Sequence, residues 1–142
     1  MLSSAPYRVI LFHKQPTSAR TRFLRLSNNS VCTPETLPTL ARVVEAKIGS
    51  TVLQHPASVI TDLEDAYGFE TGSLKPEGDF FQLVEVPGGS IQIILMEVTT
   101  IDPPFEIAER CGGRFVDLTE ARDLPVVELE LLRAAYETVL GG

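Results

Sequence analysis

Cysteine is scarce in this chain of 142 residues: Cys32 and Cys111 stand 79 positions apart, in no CxxC spacing. Histidine is equally scarce, and His13 and His55 fall in no HxxxH or HExxH pattern. A zinc site of the usual kind takes about four such ligands, so no metal is expected. The two cysteines read as reduced thiols acting as small hydrophobes. No apolar run approaches the roughly 18 residues of a membrane span, so no membrane partner is expected. The first residues lack the basic segment of a signal peptide, and a cytoplasmic location is expected. A P-loop, a GxGxxG turn, a GxSxG elbow and an EF-hand loop are all absent, which removes the common phosphate, dinucleotide, hydrolase and calcium signatures. These absences lean against an enzyme, and no cofactor is expected.

What is present is ordinary for a globular protein. The apolar fraction of 44% and the charged fraction of 22% suit one domain spanning 1–142, long enough to bury a core without staples. The net charge of −7 is unevenly spread. Residues 1–48 hold seven basic side chains against two acidic, and the remainder five against seventeen. An acidic whole repels a polyanion, so nucleic acid is not an expected partner. The basic third is suited to a smaller anion or an acidic partner.

Residues 80–100, FFQLVEV-PGGS-IQIILMEVTT, form the longest apolar stretch and carry the signature of a β-hairpin. Earlier, 7–14 (YRVILFHK) reads as a strand, and 22–26 (RFLRL) as a second strand pairing with it. Leu37, Leu40, Ala41, Val44 and Ile48 share helical spacing, so a long helix is expected over 36–48, capped by Thr36 and closed by Gly49. A short strand is expected at 51–54, a helix at 57–67, a loop at 69–78, a short helix at 105–110 and a strand at 114–118. The final helix, 124–140, has Asp123 as its expected N-cap and Leu124, Val127, Leu131, Ala135 and Val139 on one stripe. The class is α+β: an antiparallel or mixed sheet around the 80–100 hairpin, with two long helices (36–48, 124–140) and two shorter ones packed on it.

Several stretches are candidate sites. With Gly88 and Gly89 as the hairpin loop, Phe81, Leu83, Ile94 and Met96 share one side, and Val84, Val86, Ile91, Ile93 and Leu95 the other. Both sides are apolar, where a sheet with one wet face alternates. Either helices cover both sides, or one side (Phe81, Leu83, Ile94, Met96) meets a second copy or another protein. The basic stretch 13–22 joins the first two strands, and His13, Lys14, Arg20 and Arg22 are suited to a phosphate or carboxylate. His13 is also the one candidate for acid–base work. The acidic residues Asp62, Glu64, Asp65, Glu70, Glu77 and Asp79 read as a solvated helix face and loop, or as a docking surface. Cys111, between Arg110 and a Gly-Gly pair, reads as a structural thiol at a helix end.

The expectation that follows is a small soluble intracellular domain acting by binding and assembly, with self-association as a homodimer or another protein as partner. The alternatives are an anionic-metabolite binder using the 13–22 loop, and a small acid–base enzyme using His13.

Overall fold

A computed structural model describes residues 7–15, 20–33, 36–38, 40–44, 56–77, 80, 82–101 and 104–141. Among them the chain runs β1 (Tyr7–Lys14), β2 (Thr21–Arg25), β3 (Arg42–Val44), α1 (Pro56–Tyr67), β4 (Leu74–Pro76), β5 (Gln82–Val86), β6 (Gly89–Val98), α2 (Phe105–Arg110), β7 (Arg114–Val116), a 3₁₀ helix (Leu118–Ala121) and α3 (Val126–Gly141). The fold is mixed α+β, with one seven-stranded mixed sheet and three α-helices among the described residues.

The hairpin strand β6 is the middle of the sheet, whose order is β3-β5-β6-β1-β2-β7. It pairs antiparallel with β5 and parallel with β1. β4 pairs with its far half at Met96–Val98. β1 already occupies the opposite edge of that half, so β4 continues the edge on which β5 lies. β1 and β2 pair antiparallel, with Phe12 opposite Phe23 and Lys14 opposite Thr21.

Alternate side chains of a strand point to opposite faces, and here both faces are buried. Ile10, Phe12, Phe23, Val84, Ile91, Ile93 and Leu95 pack with Leu131, Leu132, Ala135 and Val139 of α3. Val9, Leu11, Leu24, Ile94, Met96 and Val98 pack with Val59 and Leu63 of α1 and Ala108 of α2. The doubly apolar hairpin is thus sandwiched between helices of its own chain.

Four expectations need correction. No helix covers the described part of 36–48: Ala41 donates its N–H to Pro38 O at 3.1 Å, and Arg42–Val44 is an edge strand. Leu40, counted in the apolar stripe, is 74% exposed. The β-branched pair Val43-Val44 lies against Val84 and Leu83 of β5, and Arg42 forms an ion pair with Glu85 directly opposite. Such cross-strand pairs favour a strand over local helical spacing. Residues 39 and 45–48 lie outside the described residues, as does the strand expected at 51–54.

The loop expected at 69–78 contains β4, whose three residues are too few to show a period. The hairpin turn is Pro87-Gly88, with Val86 opposite Gly89. Proline presets φ at the first central position, and Gly88 supplies φ +92° at the second, as a type II turn requires. This shifts each pair by two residues and leaves the division into faces unchanged. Finally, Asp123 directs its carboxylate oxygens to Arg25, and α3 begins three residues later.

Candidate functional site

Period two along β2 puts Thr21, Phe23 and Arg25 on the face covered by α3. Arg25 is therefore carried to the sheet end with its side chain 5% exposed. The chain then reverses: Asn29 donates its N–H to Leu26 O at 2.9 Å, and Leu26 donates to Ser30 O at 2.8 Å. Asn29 takes φ +65°, a left-handed conformation that asparagine tolerates. Asn28 Oδ1 accepts the Ser30 N–H at 3.0 Å and tightens the turn.

From Ser30 the chain runs buried beneath the start of α3. Glu128, 2% exposed in the first turn of that helix, accepts Ser30 Oγ–H at 2.9 Å and Val31 N–H at 3.0 Å. Ser30 Oγ in turn accepts the Cys32 N–H at 3.0 Å. One carboxylate thus ties a strand-like segment to a helix. A carboxylate near a helix N-terminus also meets the positive end of the dipole. Beyond it, Arg8 is 1% exposed and donates from Nε to Thr36 O and from Nη1 to Tyr7 O. Burial and the nearby Glu128 push the Cys32 thiol up, only partly opposed by Arg8 and by its hydrogen bond with Ser30. Cys32 is an inert packing residue.

These elements enclose a cleft of roughly 460 Å³, walled by Arg25, the Asn28–Ser30 turn, the segment 36–38, Asp123 and the first turn of α3. Arg25 is held on all sides. Its Nε donates to Asn29 O at 3.3 Å, and Nη1 to Glu120 O at 3.4 Å. Nη1 and Nη2 together clamp the two Asp123 oxygens at 2.9 and 2.8 Å. Behind the turn, Gly113 allows β7 to approach: a Cβ there would lie 2.2 Å from Arg25 O.

The expected site residues are not gathered around one pocket. His13 is fully buried, and its Nε2–H donates to Thr100 O at 2.7 Å. A carbonyl only accepts, which assigns the proton to Nε2. His13 Nδ1 has no partner among the described residues. Lys14 is half-buried at the end of β1, opposite Thr21. Arg20 makes a two-pronged contact with Asp117, at 3.0 Å from Nε and 2.6 Å from Nη2. Arg22 donates to Gln15 Oε1 at 3.1 Å. Of the expected interface residues, Ile94 and Met96 are buried beneath the chain's own helices, and Leu83 is half-buried. Phe81 lies outside the described residues. In the acidic sector, Asp62 accepts from Tyr7 Oη and Glu64 from Gly72 N–H. No cluster of three or more His, Cys, Asp or Glu suited to a metal occurs among the described residues. No helix among them is long and apolar enough to cross a membrane.

Arg25 and Glu128, the two charges that build the cleft, were each visible as a pattern. Arg25 follows Phe23 at period two. Glu128 stands three residues before Leu131, four before Leu132 and seven before Ala135, on the stripe that α3 buries.

The aspartates that clamp the two arginines have an acid signature. Hydrogen bonds from Arg20 hold the Asp117 carboxyl below the usual carboxylate range, and those from Arg25 do the same for Asp123. A depressed carboxylate adds stability that is fully present above its unfolded pKa of about 3.9 and is lost as pH falls through the folded value. Melting temperature is therefore expected to fall below about pH 4, with a shallower fall in Asp123→Asn. Equal acid slopes for parent and variant would contradict the Asp123 assignment.

No protein-family model matches the chain, and no curated protein matches it.

Proposed function

We propose that this chain is a small-molecule-binding domain whose ligand occupies the cleft between the Asn28–Ser30 turn and the start of α3. The observation that carries the reading is a cleft of roughly 460 Å³ with buried Arg25 and Glu128 in its wall. Its volume falls within the roughly 300–1,000 Å³ of ligand pockets, which fix orientation with a few placed polar groups. Charged side chains this deeply buried need organised partners, and here those partners build the cleft.

The reading moves the anion-binding idea from the 13–22 loop to Arg25. In that loop Arg20 and Arg22 already hold Asp117 and Gln15, and His13 is enclosed by the core. Acid–base chemistry by His13 gains no support, because its placed nitrogen holds a backbone carbonyl. The test is a metabolite screen read by thermal stabilisation, repeated on Val127→Phe, which fills the cleft wall. Hits on the parent that vanish in Val127→Phe support the reading; hits indifferent to Val127 overturn it, as does a screen without hits.

Self-association is a second reading, favoured by one observation. Among the described residues β3 is the outermost strand of the sheet order, and Leu40 beside it is 74% exposed. Light scattering at low concentration decides it: a mass of 15.5 kDa unchanged by dilution rules the dimer out.

A further inference from the structure

We propose that Asp123 is an internal stand-in for a ligand oxyanion, holding the Arg25 fork that a carboxylate or phosphate on the ligand takes over. The inference rests on the cleft being a ligand site and names the chemistry recognised there.

The two partners of this ion pair are placed very differently. Arg25 is 5% exposed and Asp123 is 72% exposed. The guanidinium belongs to the scaffold: it sits at the end of β2, oriented by two backbone carbonyls. The remaining edge holds the Asp123 carboxylate in the cleft wall with paired N–H groups, the geometry that matches a carboxylate or phosphate. Asp123 lies outside regular structure, in the turn between the 3₁₀ helix and α3, and reaches the fork from the solvent side.

An ion pair with both members buried has given up the hydration of each charge, so neither partner leaves without a large cost. Here the carboxylate can return to water with little change in its own hydration. The protein therefore loses little when another oxyanion replaces it. Removing the anion without a replacement is a different matter, because it strands a buried cation.

The surroundings favour an anion over a neutral group. Arg114 stands directly opposite Arg25 in the β2–β7 register, and like charges so placed repel unless an anion lies between them. Arg25, Asn29 and Arg114 also wall a smaller cleft of about 110 Å³ on the other side of the same turn. A displaced Asp123 leaves the Arg25 fork and the asparagine turn in the wall of the larger cleft.

An intramolecular competitor acts at an effective concentration in the millimolar range or above. Simple anions should therefore bind the parent weakly and a variant without the competitor more tightly. The experiment titrates inorganic phosphate, and separately succinate, at constant ionic strength into the parent, Asp123→Asn and Asp123→Ala. Both variants are expected to bind at least tenfold more tightly than the parent. Glu130→Gln removes an exposed negative charge of α3 that lies outside the cleft lining, and is expected to leave affinity unchanged. No gain in either Asp123 variant overturns the proposal, and so does an equal gain in Glu130→Gln.

If both Asp123 variants fail to fold, the parent still decides. Saturating phosphate is expected to shift the amide resonances of Asn29 and Asp123, and unmoved resonances overturn the proposal. The two readings fail differently. Neutral or cationic metabolites lost in Val127→Phe, with no anion gain in Asp123→Asn, would sink the stand-in alone. A screen empty of every class would sink the ligand site itself.

Discussion

Replacing Glu128 by alanine is expected to destabilise the protein by roughly 2–6 kcal/mol, at about 1–3 for each buried donor left without an acceptor. The donors are Ser30 Oγ–H and Val31 N–H, both held by the Glu128 carboxylate. The loss propagates because Ser30 Oγ also receives the Cys32 N–H, so three consecutive residues lose their anchor to α3. Glu128→Gln retains one carbonyl oxygen for Val31 and is expected to lose only about 1 kcal/mol. Urea unfolding at unchanged m-value reads both changes. An alanine loss below about 1 kcal/mol would mean that water entering from the cleft replaces the carboxylate, and that the cleft wall does not depend on it.

Leu131→Ala is expected to cost a comparable amount, about 2–5 kcal/mol from lost transfer free energy and a cavity that the sheet cannot collapse to fill. Leu131 is fully buried where α3 crosses the face formed by β6, β1 and β2. Leu140, on the same helix and 58% exposed, provides the comparison, since Leu140→Ala is expected to change stability by no more than about 0.5 kcal/mol. Equal effects at the two positions would place the buried stripe of α3 wrongly, and with it Glu128.

Elements whose pattern comes from their own side chains were legible in the sequence. β1 and α2 match the expected spans, and α1 and α3 differ only at their ends. Gly68, at φ +80°, closes α1. The hairpin was legible as a hairpin, yet its register depended on whether Pro87 or Gly88 opened the turn. Proline's fixed φ decided that.

The segment 36–48 misled because helical spacing and edge pairing compete there. Leu37, Leu40, Ala41 and Val44 sit at helical intervals, but Val43-Val44 and Arg42 find partners on β5 that lie forty residues away. Such partners are invisible to any local period. The period of β2 places Arg25 on the face of Phe23, but its counter-ion is beyond any local pattern, because Asp123 is supplied by a turn almost a hundred residues later. The basic loop at 13–22 was legible as a charge cluster. Asp117, the partner that occupies Arg20 there, arrives only through the β2–β7 pairing.

The most direct test of the account is amide mapping by two-dimensional NMR with the stabilising metabolites of the screen. Binding is expected to move the resonances of Asn28, Asn29, Ser30, Thr36 and Val127, and to leave those of Lys14 and Arg22 in place. Shifts confined to the 13–22 loop, or to a separate cleft of roughly 400 Å³ lined by Leu118, Thr119, Arg122, Leu129 and Arg133, would contradict it.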